Sequence, residues 1–384
     1  MDKEKLSKLY DKYYLLLALI PVVLVISSLV YLAGFYSQNG SFIAKDVSLS
    51  GGTTITLTDP STLSDLSDAE FLLSSKIPDA NFRRLTDIRT SSPLALVLES
   101  SLSPEELKPL IKEALGYELT SENSSIEFSG PSISNSFYSE LLRVVLLSFI
   151  LMGLVVFMIF GTSRFFKSLA LLLSVLAIRL TFPLSSGLMI FVILVVTGSL
   201  VYCLLKLEKK KQNYLILLLG IVFAVVSIIY PTYFLIYVLL VFLLLVYIFN
   251  SVPSIAVIFA AFSDLVLTAA VIDILGIRVS APGLVAFLML IGYSVDTDIL
   301  LTNKALRGSG SINSRIYDAF RTGSFMTLTA LAAVLPAFLL ITGLPDAFRQ
   351  IFLVVSIGLV ADLFNTWLTN SGIIKWYCQR KGMI

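Results

Sequence analysis

Leu290-Ile291-Gly292-Tyr293-Ser294-Val295-Asp296-Thr297-Asp298-Ile299-Leu300-Leu301-Thr302-Asn303 is an apolar stretch with two aspartates in its middle. It begins eight residues after the Gly276–Pro282 break and runs into the polar segment Asn303–Arg321, so it has the dimensions of a membrane-crossing helix rather than a surface helix. A carboxylate inside such a helix is costly and therefore marks a functional position by default. Two residues apart, Asp296 and Asp298 point to nearly opposite sides of the helix, so they cannot do the same job. The rest of the chain fits this reading. Of its 384 residues 57% are hydrophobic and only 14% charged, against about a quarter charged in soluble domains, so most of the chain must sit in lipid.

A span needs about 20 mainly apolar residues, and Leu15–Tyr36, Leu141–Phe160 and Ile351–Ile373 qualify directly. The long tract from Phe165 to Leu344 is cut by Pro183–Ser186, Glu208–Gln212, Tyr230–Pro231, Asn250–Pro253, Gly276–Pro282 and Asn303–Arg321, which predicts about seven more spans and a total of about ten. Lys and Arg next to the spans set the orientation. The clusters Lys3–Lys12, Arg164 with Lys167, Lys206–Lys211, Lys304–Arg321 and Lys375–Lys381 all fall on one side, with Arg278 and Arg349 as exceptions. The expectation is an N-in/C-in protein with an even number of spans. Phe165–Thr181, short and containing Arg179, carries the parity of that count.

Between the first two spans lie about a hundred residues of ordinary soluble composition, which the topology places outside the cell. Thr53–Leu57, Asn81–Arg89, Leu94–Leu98 and Ser125–Phe128 read as strands, and Leu63–Ser75 and Ser103–Leu115 as helices, the second opened by a serine, a proline and two glutamates. The order β-α-β-β-α-β predicts a ferredoxin-like α+β domain. The expected fold class is an α-helical polytopic membrane protein with this one external domain. Its order predicts a docking or substrate-handling module, with a passive spacer as the alternative.

Composition excludes several functions. The 28 basic and 26 acidic residues nearly cancel, which argues against a nucleic-acid partner. With no histidine and only Cys203 and Cys378, no His/Cys metal site or disulfide framework can be assembled. No P-loop, Gly-rich nucleotide fingerprint or nucleophile-base-acid set is present, so neither a cofactor nor an enzyme activity is expected. The charged Met1–Tyr14 followed by a span-length apolar stretch reads as an anchor rather than a cleaved signal peptide.

Four acids lie inside predicted spans: Asp264, Asp296, Asp298 and Asp362. Counted from the expected inner ends at Pro253, Asn303 and Ser371, Asp264, Asp296 and Asp362 lie about 16, 11 and 14 Å deep, so three helices present carboxylates at similar depth. Asp296 is the favoured partner of Asp264, because Leu300, Asn303 and Lys304 share its face, and Lys304 can snorkel to the inner surface. Burial and mutual repulsion of such carboxyls are the requirement for a proton relay. The alternative is that the acids only tie helices together by hydrogen bonds. Gly283, Gly292, Gly323 and Gly358 read as close helix contacts.

Asp46-Val47-Ser48-Leu49-Ser50-Gly51-Gly52, directly after the first span, resembles the Asp-x-x-x-x-Gly-Gly entry of SecD and SecF proteins, and Leu290–Asn303 with its Gly292-Tyr293-Ser294 resembles the fourth-span signature of archaeal SecF. Ala261–Asp264 and Asp362–Asn370 resemble the third and last spans of that family, and Gly130-Pro131-Ser132 stands where its members re-enter the membrane. The resemblance covers Lys12–Phe160 and Asn250–Gln379 and leaves Gly161–Ile248 as an extra block. It divides the chain into the N-terminus and first span (1–36), an external domain (37–135), a second span (136–160), an insert of about four helices (161–249) and a four-span core with a cytoplasmic C-terminus (250–384).

What the resemblance implies is an accessory subunit of the Sec export machinery in the cytoplasmic membrane. It would act with a SecD-like subunit, the Sec translocation channel and the emerging polypeptide, with membrane lipids around it and no nucleic acid. Proton flow through Asp264, Asp296 or Asp298, Asp362 and Lys304 would be coupled to movement of the external domain. Bacterial relatives carry an Arg where this sequence has Lys304, and Lys is a compact charge that does not substitute for a guanidinium fork. A small-molecule or lipid exporter of the same superfamily and a structural scaffold for the channel are the alternatives; such exporters carry two six-span halves in one chain. An intramembrane aspartyl protease is disfavoured, because Asp264 follows Ser263 and Asp296 follows Val295, without the Tyr and Gly-rich turn which that dyad uses.

Overall fold

The computed structural model describes residues 3–87, 90, 92–181, 233–340 and 346–383. The expected breaks at Pro183–Ser186, Glu208–Gln212 and Tyr230–Pro231, and Cys203, lie outside the described residues. Among the described residues six helices are long and apolar enough to cross a membrane: Tyr10–Asn39, Pro131–Phe160, Val252–Ile274, Ala281–Arg307, Ile312–Leu339 and Phe348–Arg380. The chain is therefore a multi-pass membrane protein with a small domain of sheet and helices between the first two of these spans.

The first helix, α1 (Lys3–Asn39), leads into a short turn of helix, α2 (Val47–Ser50). The sheet domain follows as β1 (Gly52–Leu57), α3 (Pro60–Ser64), α4 (Leu66–Lys76), β2 (Asn81–Thr86), β3 (Pro93–Ser100), α5 (Pro104–Leu115) and β4 (Ser124–Ser129). All pairings are antiparallel in the order β2-β3-β1-β4, with Ile55 opposite both Leu98 and Ile126. One core holds the domain together: Ile55, Leu57, Leu96 and Leu98 of the sheet pack against Leu73 of α4 and Ile111 of α5.

Local chemistry explains where the elements differ from the sequence reading. The single helix expected over Leu63–Ser75 is two helices, because the Asp65 carboxylate accepts from the backbone N–H groups of Ser67 and Asp68 and caps a new start. The strand expected over Asn81–Arg89 ends at Thr86, where the register shifts and the partner is Pro93, which has no N–H to give. The start of α5 is as read: Glu106 Oε2 accepts from the Ser103 N–H at 3.0 Å and lies 2.9 Å from its hydroxyl, a capping box.

The membrane part continues with α6 (Pro131–Phe160), α7 (Arg164–Thr181), α8 (Tyr233–Asn250), α9 (Val252–Ile274), α10 (Ala281–Arg307), α11 (Ile312–Leu340) and α12 (Asp346–Phe364). A π-turn (Asn365–Asn370) joins α12 to α13 (Ser371–Arg380), so one continuous helix runs past the expected end at Ile373. The polar run Asn303–Arg321 is likewise mostly helical, with only Gly308–Ser311 between α10 and α11. In the described part of the extra block, α7 and α8 pack on α6 through Phe157, Phe165, Leu169, Leu173, Leu243 and Tyr247. Along α1, by contrast, Leu15, Leu16, Leu19, Val23, Ile26 and Val30 are exposed; apolar all round, this helix offers most of its surface to lipid.

At one end of the helices the chain is stitched to the sheet domain. The linker before α2 pairs with the α9–α10 loop, Asp46 N–H donating to Val279 O at 3.0 Å and Val279 N–H to Ala44 O at 2.7 Å. Asp273 at the end of α9 accepts from Ala44 N–H at 2.8 Å. Gln350 of α12 accepts from Ser280 N–H at 2.7 Å and donates to Arg278 O at 3.1 Å. Gly51 and Gly52, at φ 88° and 135°, allow this seam: a Cβ on Gly51 would stand 2.5 Å from Pro131 Cα at the head of α6, and one on Gly52 would collide with Ser100 O.

Candidate functional site

Asp264 of α9, Asp298 of α10 and Asp362 of α12 are all fully buried. Each is held by side-chain hydrogen bonds from neighbouring helices. Asp264 accepts from Ser294 Oγ at 2.5 Å and from Asn365 Nδ2 at 2.6 Å. Asp298 Oδ1 accepts from Asn370 Nδ2 at 2.6 Å. Thr327 of α11 donates to Asp362 Oδ2 at 3.2 Å. The Thr366 hydroxyl stands 2.9 Å from Asp298 Oδ1 and 2.9 Å from Asp362 Oδ1, and so joins two of the acids.

Helix spacing and the π-turn make this alignment. Asn365 and Thr366 follow Asp362 by three and four residues and so share its face of the helix, and the π-turn over Asn365–Asn370 widens the helix where these side chains meet the acids. Close packing holds the helices around them. Leu290 of α10 lies against Gly358 of α12, where any Cβ would collide with it, and the Trp367 ring lies over Gly323 of α11.

Proton counting shows what the network can do. A hydroxyl has one hydrogen to donate, yet Thr366 contacts two carboxyl oxygens. The two contacts are met when one hydroxyl proton is shared or when either acid carries a proton. Among the described residues none of the bonding partners of the three acids is a lysine or arginine, and Asp298 Oδ2, Asn365 Oδ1, Asn370 Oδ1 and Thr302 Oγ1 are buried without a bonded partner among them.

The structure corrects two site expectations. Asp298, not Asp296, turns inward: Ser294, Asp298, Leu301, Thr302 and Ala305 form the buried face of α10, and Asp296 is exposed. The small polar residues, rather than Leu300 and Asn303, mark the packed side. Lys304 does not reach the acids either; its ammonium bonds to Asp318 O at 3.1 Å and Thr322 Oγ1 at 2.7 Å on α11. Gly283, Gly323 and Gly358 are close contacts as read, whereas a Cβ on Gly292 would meet nothing within 4 Å. Exposed Tyr293 stands beside it, and Ser294 bonds to Asp264.

Sequence reasoning missed Lys375. It reads as a basic flank after the last span, but its side chain is fully buried. The ammonium bonds to Asp11 Oδ1 at 2.6 Å and stands 4.0 and 4.7 Å from the ring centres of Tyr10 and Tyr14. Asp11 also accepts from Asn313 Nδ2 at 3.0 Å, so one carboxylate ties α1, α11 and α13 together. An acid on one face of the first span's basic head, with tyrosines three and four residues apart, was the available signal.

Asp46, in the Gly51-Gly52 motif, caps α2 and sits at the seam with the sheet domain. Burial, and beyond it the Glu99 charge, raises its carboxyl from 3.8 to about 6 against the hydrogen bonds from Ser48. The folded seam thus holds a proton more tightly than the unfolded chain. Its contribution is complete below about pH 4 and declines as pH rises through about 6. Thermal melting of the chain in detergent should show the sheet domain loosening across that window, and Asp46→Asn, which keeps the cap, should flatten the dependence.

Comparison with known proteins places the core. Residues 232–380 match the family described as protein export membrane protein SecD/SecF, C-terminal. Over that segment the chain is similar to the SecD/SecF family. The chain is 46% identical over 132 residues to a protein-export membrane protein SecF from Methanolacinia petrolearia, covering 34% of this chain and 47% of that protein. It is 44% identical over 134 residues to one from Methanothermobacter thermautotrophicus, again covering 34% and 47%. The chain thus spans about half the length of the curated relatives it matches. A crystal structure of SecDF, a translocon-associated membrane protein from Thermus, aligns over 95% of this chain and 38% of its own, with 16% identity and a TM-score of 0.49. The matched segment, residues 232–380, holds all three buried acids and Lys375.

Proposed function

We propose that this chain is a SecF-type accessory subunit of the Sec export machinery, acting with a SecD-type partner to move polypeptide across the cytoplasmic membrane at the expense of an ion gradient. The observation that carries it is the trio Asp264, Asp298 and Asp362, enclosed by helices of the SecD/SecF core, with one hydroxyl, that of Thr366, between two of them. The matched relatives are named as protein-export proteins. Lys304, Arg307, Arg315, Arg380 and Lys381 gather at the end opposite the sheet domain, which favours a cytoplasmic location for that end. With about ten spans, N-in/C-in, the ferredoxin-like domain lies outside, beside the translocation channel and the emerging polypeptide. Residues 161–249 are then an insert of about four helices.

Coupling follows from the connections. Protonated, the trio packs; deprotonated, its like charges repel in a medium that does not screen them, and α9, α10 and α12 must shift relative to one another. The same three helices end in Asp273, Ser280 and Gln350, which hold the linker and the α9–α10 loop of the seam. A shift at the acids is therefore delivered to the sheet domain by rigid helices. Exchange of the acids between two arrangements, with one proton more or fewer, is the two-state element this requires.

The test is depletion of the chain from its native host, followed by pulse-chase export of a secreted reporter and purification of the tagged chain. Slower export and a SecD-type subunit in near-equal amount are expected. Undiminished export, with the chain recovered only as a homo-oligomer, would overturn the proposal in favour of a small-molecule or lipid exporter.

A further inference from the structure

Between α9, α11 and α12, in the half of the membrane nearer the sheet domain, lies an open groove of about 450 Å³. Leu267 and Leu275 of α9 and Leu331 and Phe338 of α11 bound its walls, and α12 supplies the floor from Leu353 to Phe364. Apart from Ser356 every lining side chain is apolar. Counted along α12 the floor is about 16 Å long, close to the hydrocarbon depth of one leaflet, half of a core about 30 Å thick. Spread over that length the volume gives a trough about 6 Å wide, which admits one hydrocarbon chain, about 4 Å thick, and not a helix about 10 Å across.

The mouth of the groove is basic. Arg349 stands one turn before Leu353 on the same face of α12, and its guanidinium lies 5.7 Å from the ring centre of Phe338, at the end of the α11 wall. A ring contact leaves the guanidinium N–H donors unspent, and among the described residues no carboxylate pairs with Arg349. Arg278, exposed three residues beyond Leu275, is tied by its backbone O to Gln350, the next residue of α12. Arg83 of the sheet domain, 3.6 Å from Glu99, is near enough for its charge to oppose that of Arg349. Arg278 and Arg349 are also the two basic residues that break the sidedness of the other flanks, so membrane orientation does not account for them.

We infer that this groove is a binding site for one anionic phospholipid of the leaflet on the sheet-domain side, its phosphate on Arg349 and one hydrocarbon chain along the α12 floor. A guanidinium matches a phosphate with two parallel N–H bonds, and Arg278 adds positive charge beside it. Ser356 Oγ, buried in the upper part of the floor without a bonded partner among the described residues, is a donor for the oxygen that links the chain to the headgroup. The bound lipid bridges α11 and α12 next to the seam with the sheet domain. The inference needs only the membrane placement of these helices, and it stands or falls separately from the export reading.

The experiment titrates the chain, purified in mild detergent, with dioleoyl phosphatidylglycerol, with dioleoylglycerol, which lacks the phosphate, and with glycerol phosphate, which lacks the chains. Native mass spectrometry counts the bound molecules. One phosphatidylglycerol should be held at least about tenfold more tightly than either fragment, and Arg349→Gln should lower its affinity about tenfold. Val360→Trp, which fills the floor, should abolish retention. Arg349 has only its ring contact and Val360 is exposed, so without lipid both variants should melt as the wild type does; on adding phosphatidylglycerol only the wild type should gain its full rise in melting temperature. A phosphatidylglycerol with a photoactivatable group in one chain should label Leu335 and Ile357 and spare Val30 of the exposed α1. Equal retention of phosphatidylglycerol and dioleoylglycerol, unchanged by Arg349→Gln, or labelling of Val30 as strong as that of the groove, would mean bulk lipid and overturns the inference. Glycerol phosphate held as tightly as the whole lipid would mean a site for a free anion, and capture of another protein by a photo-cross-linking residue at Leu335 would mean a protein interface; either result overturns it as well.

Discussion

Changing Asp264, Asp298 and Asp362 together to asparagine should remove the gradient-driven part of export in proteoliposomes, to background, while the protein still folds and still binds its SecD-type partner. Asparagine has nearly the same shape as aspartate: its amide oxygen can still accept from Asn365, Thr366 and Asn370, and its amide nitrogen can donate to the Ser294 and Thr327 hydroxyls, which now meet the second carboxylate oxygen. It cannot take up or release a proton. The variant therefore separates two roles that look alike in a static structure. If the acids only tie helices together by hydrogen bonds, export in the triple variant should stay at the wild-type rate, and the coupling reading is lost. Asp298→Asn alone should depress the gradient-driven step while leaving partner binding intact.

The second large effect is expected at the other end of the core. Lys375→Glu places a carboxylate where a buried ammonium now meets Asp11 at 2.6 Å and faces Tyr10 and Tyr14. An attractive pair becomes a repulsive one at a buried position, and the ring faces, which attract cations, repel the new charge. Stranding a charge at position 375 costs about 3 kcal/mol, the low end of the range for a broken buried pair because Asp11 is half exposed, and enough to reduce accumulation of a marginally stable chain. Lys375→Met should be far milder, because it fills the same space and leaves Asp11 half exposed and still bonded to Asn313. The double variant Asp11→Lys with Lys375→Glu should recover part of the loss, since it restores opposite charges but not the cation over the rings. Yields and melting temperatures of the four proteins in detergent measure this; equal yields of Lys375→Glu and wild type would show that the pair does not hold α1 to the core.

The sheet domain was legible because its signals are local. Alternation at Thr53–Leu57, the capping box at Ser103 and Glu106, and the glycine pair after Asp46 each act within a few residues, and each is found where it was read. The deviations have local causes of their own, a capping carboxylate at Asp65 and a proline opposite Thr86. The spans were legible for the same reason: the bilayer demands length and apolarity, which are properties of a segment alone.

The sequence by itself determined that this is a multi-pass membrane protein with one small mixed domain after its first span, and that a few acids lie within its spans. Those conclusions depend on the cost of putting each residue type into lipid or water, which is the same whatever the segment packs against. The tertiary structure alone decided which acids meet. Asp296 and Asp298 are equivalent to any count of depth, and only the packing of α10 on α9 and the π-turn turns Asp298 inward. Lys375 resembles any basic flank until Asp11, more than three hundred residues earlier in the chain, is placed beside it. Rotation about a helix axis and contact between distant segments are settled by the fit of side chains across interfaces, and that fit exists only once the helices are assembled.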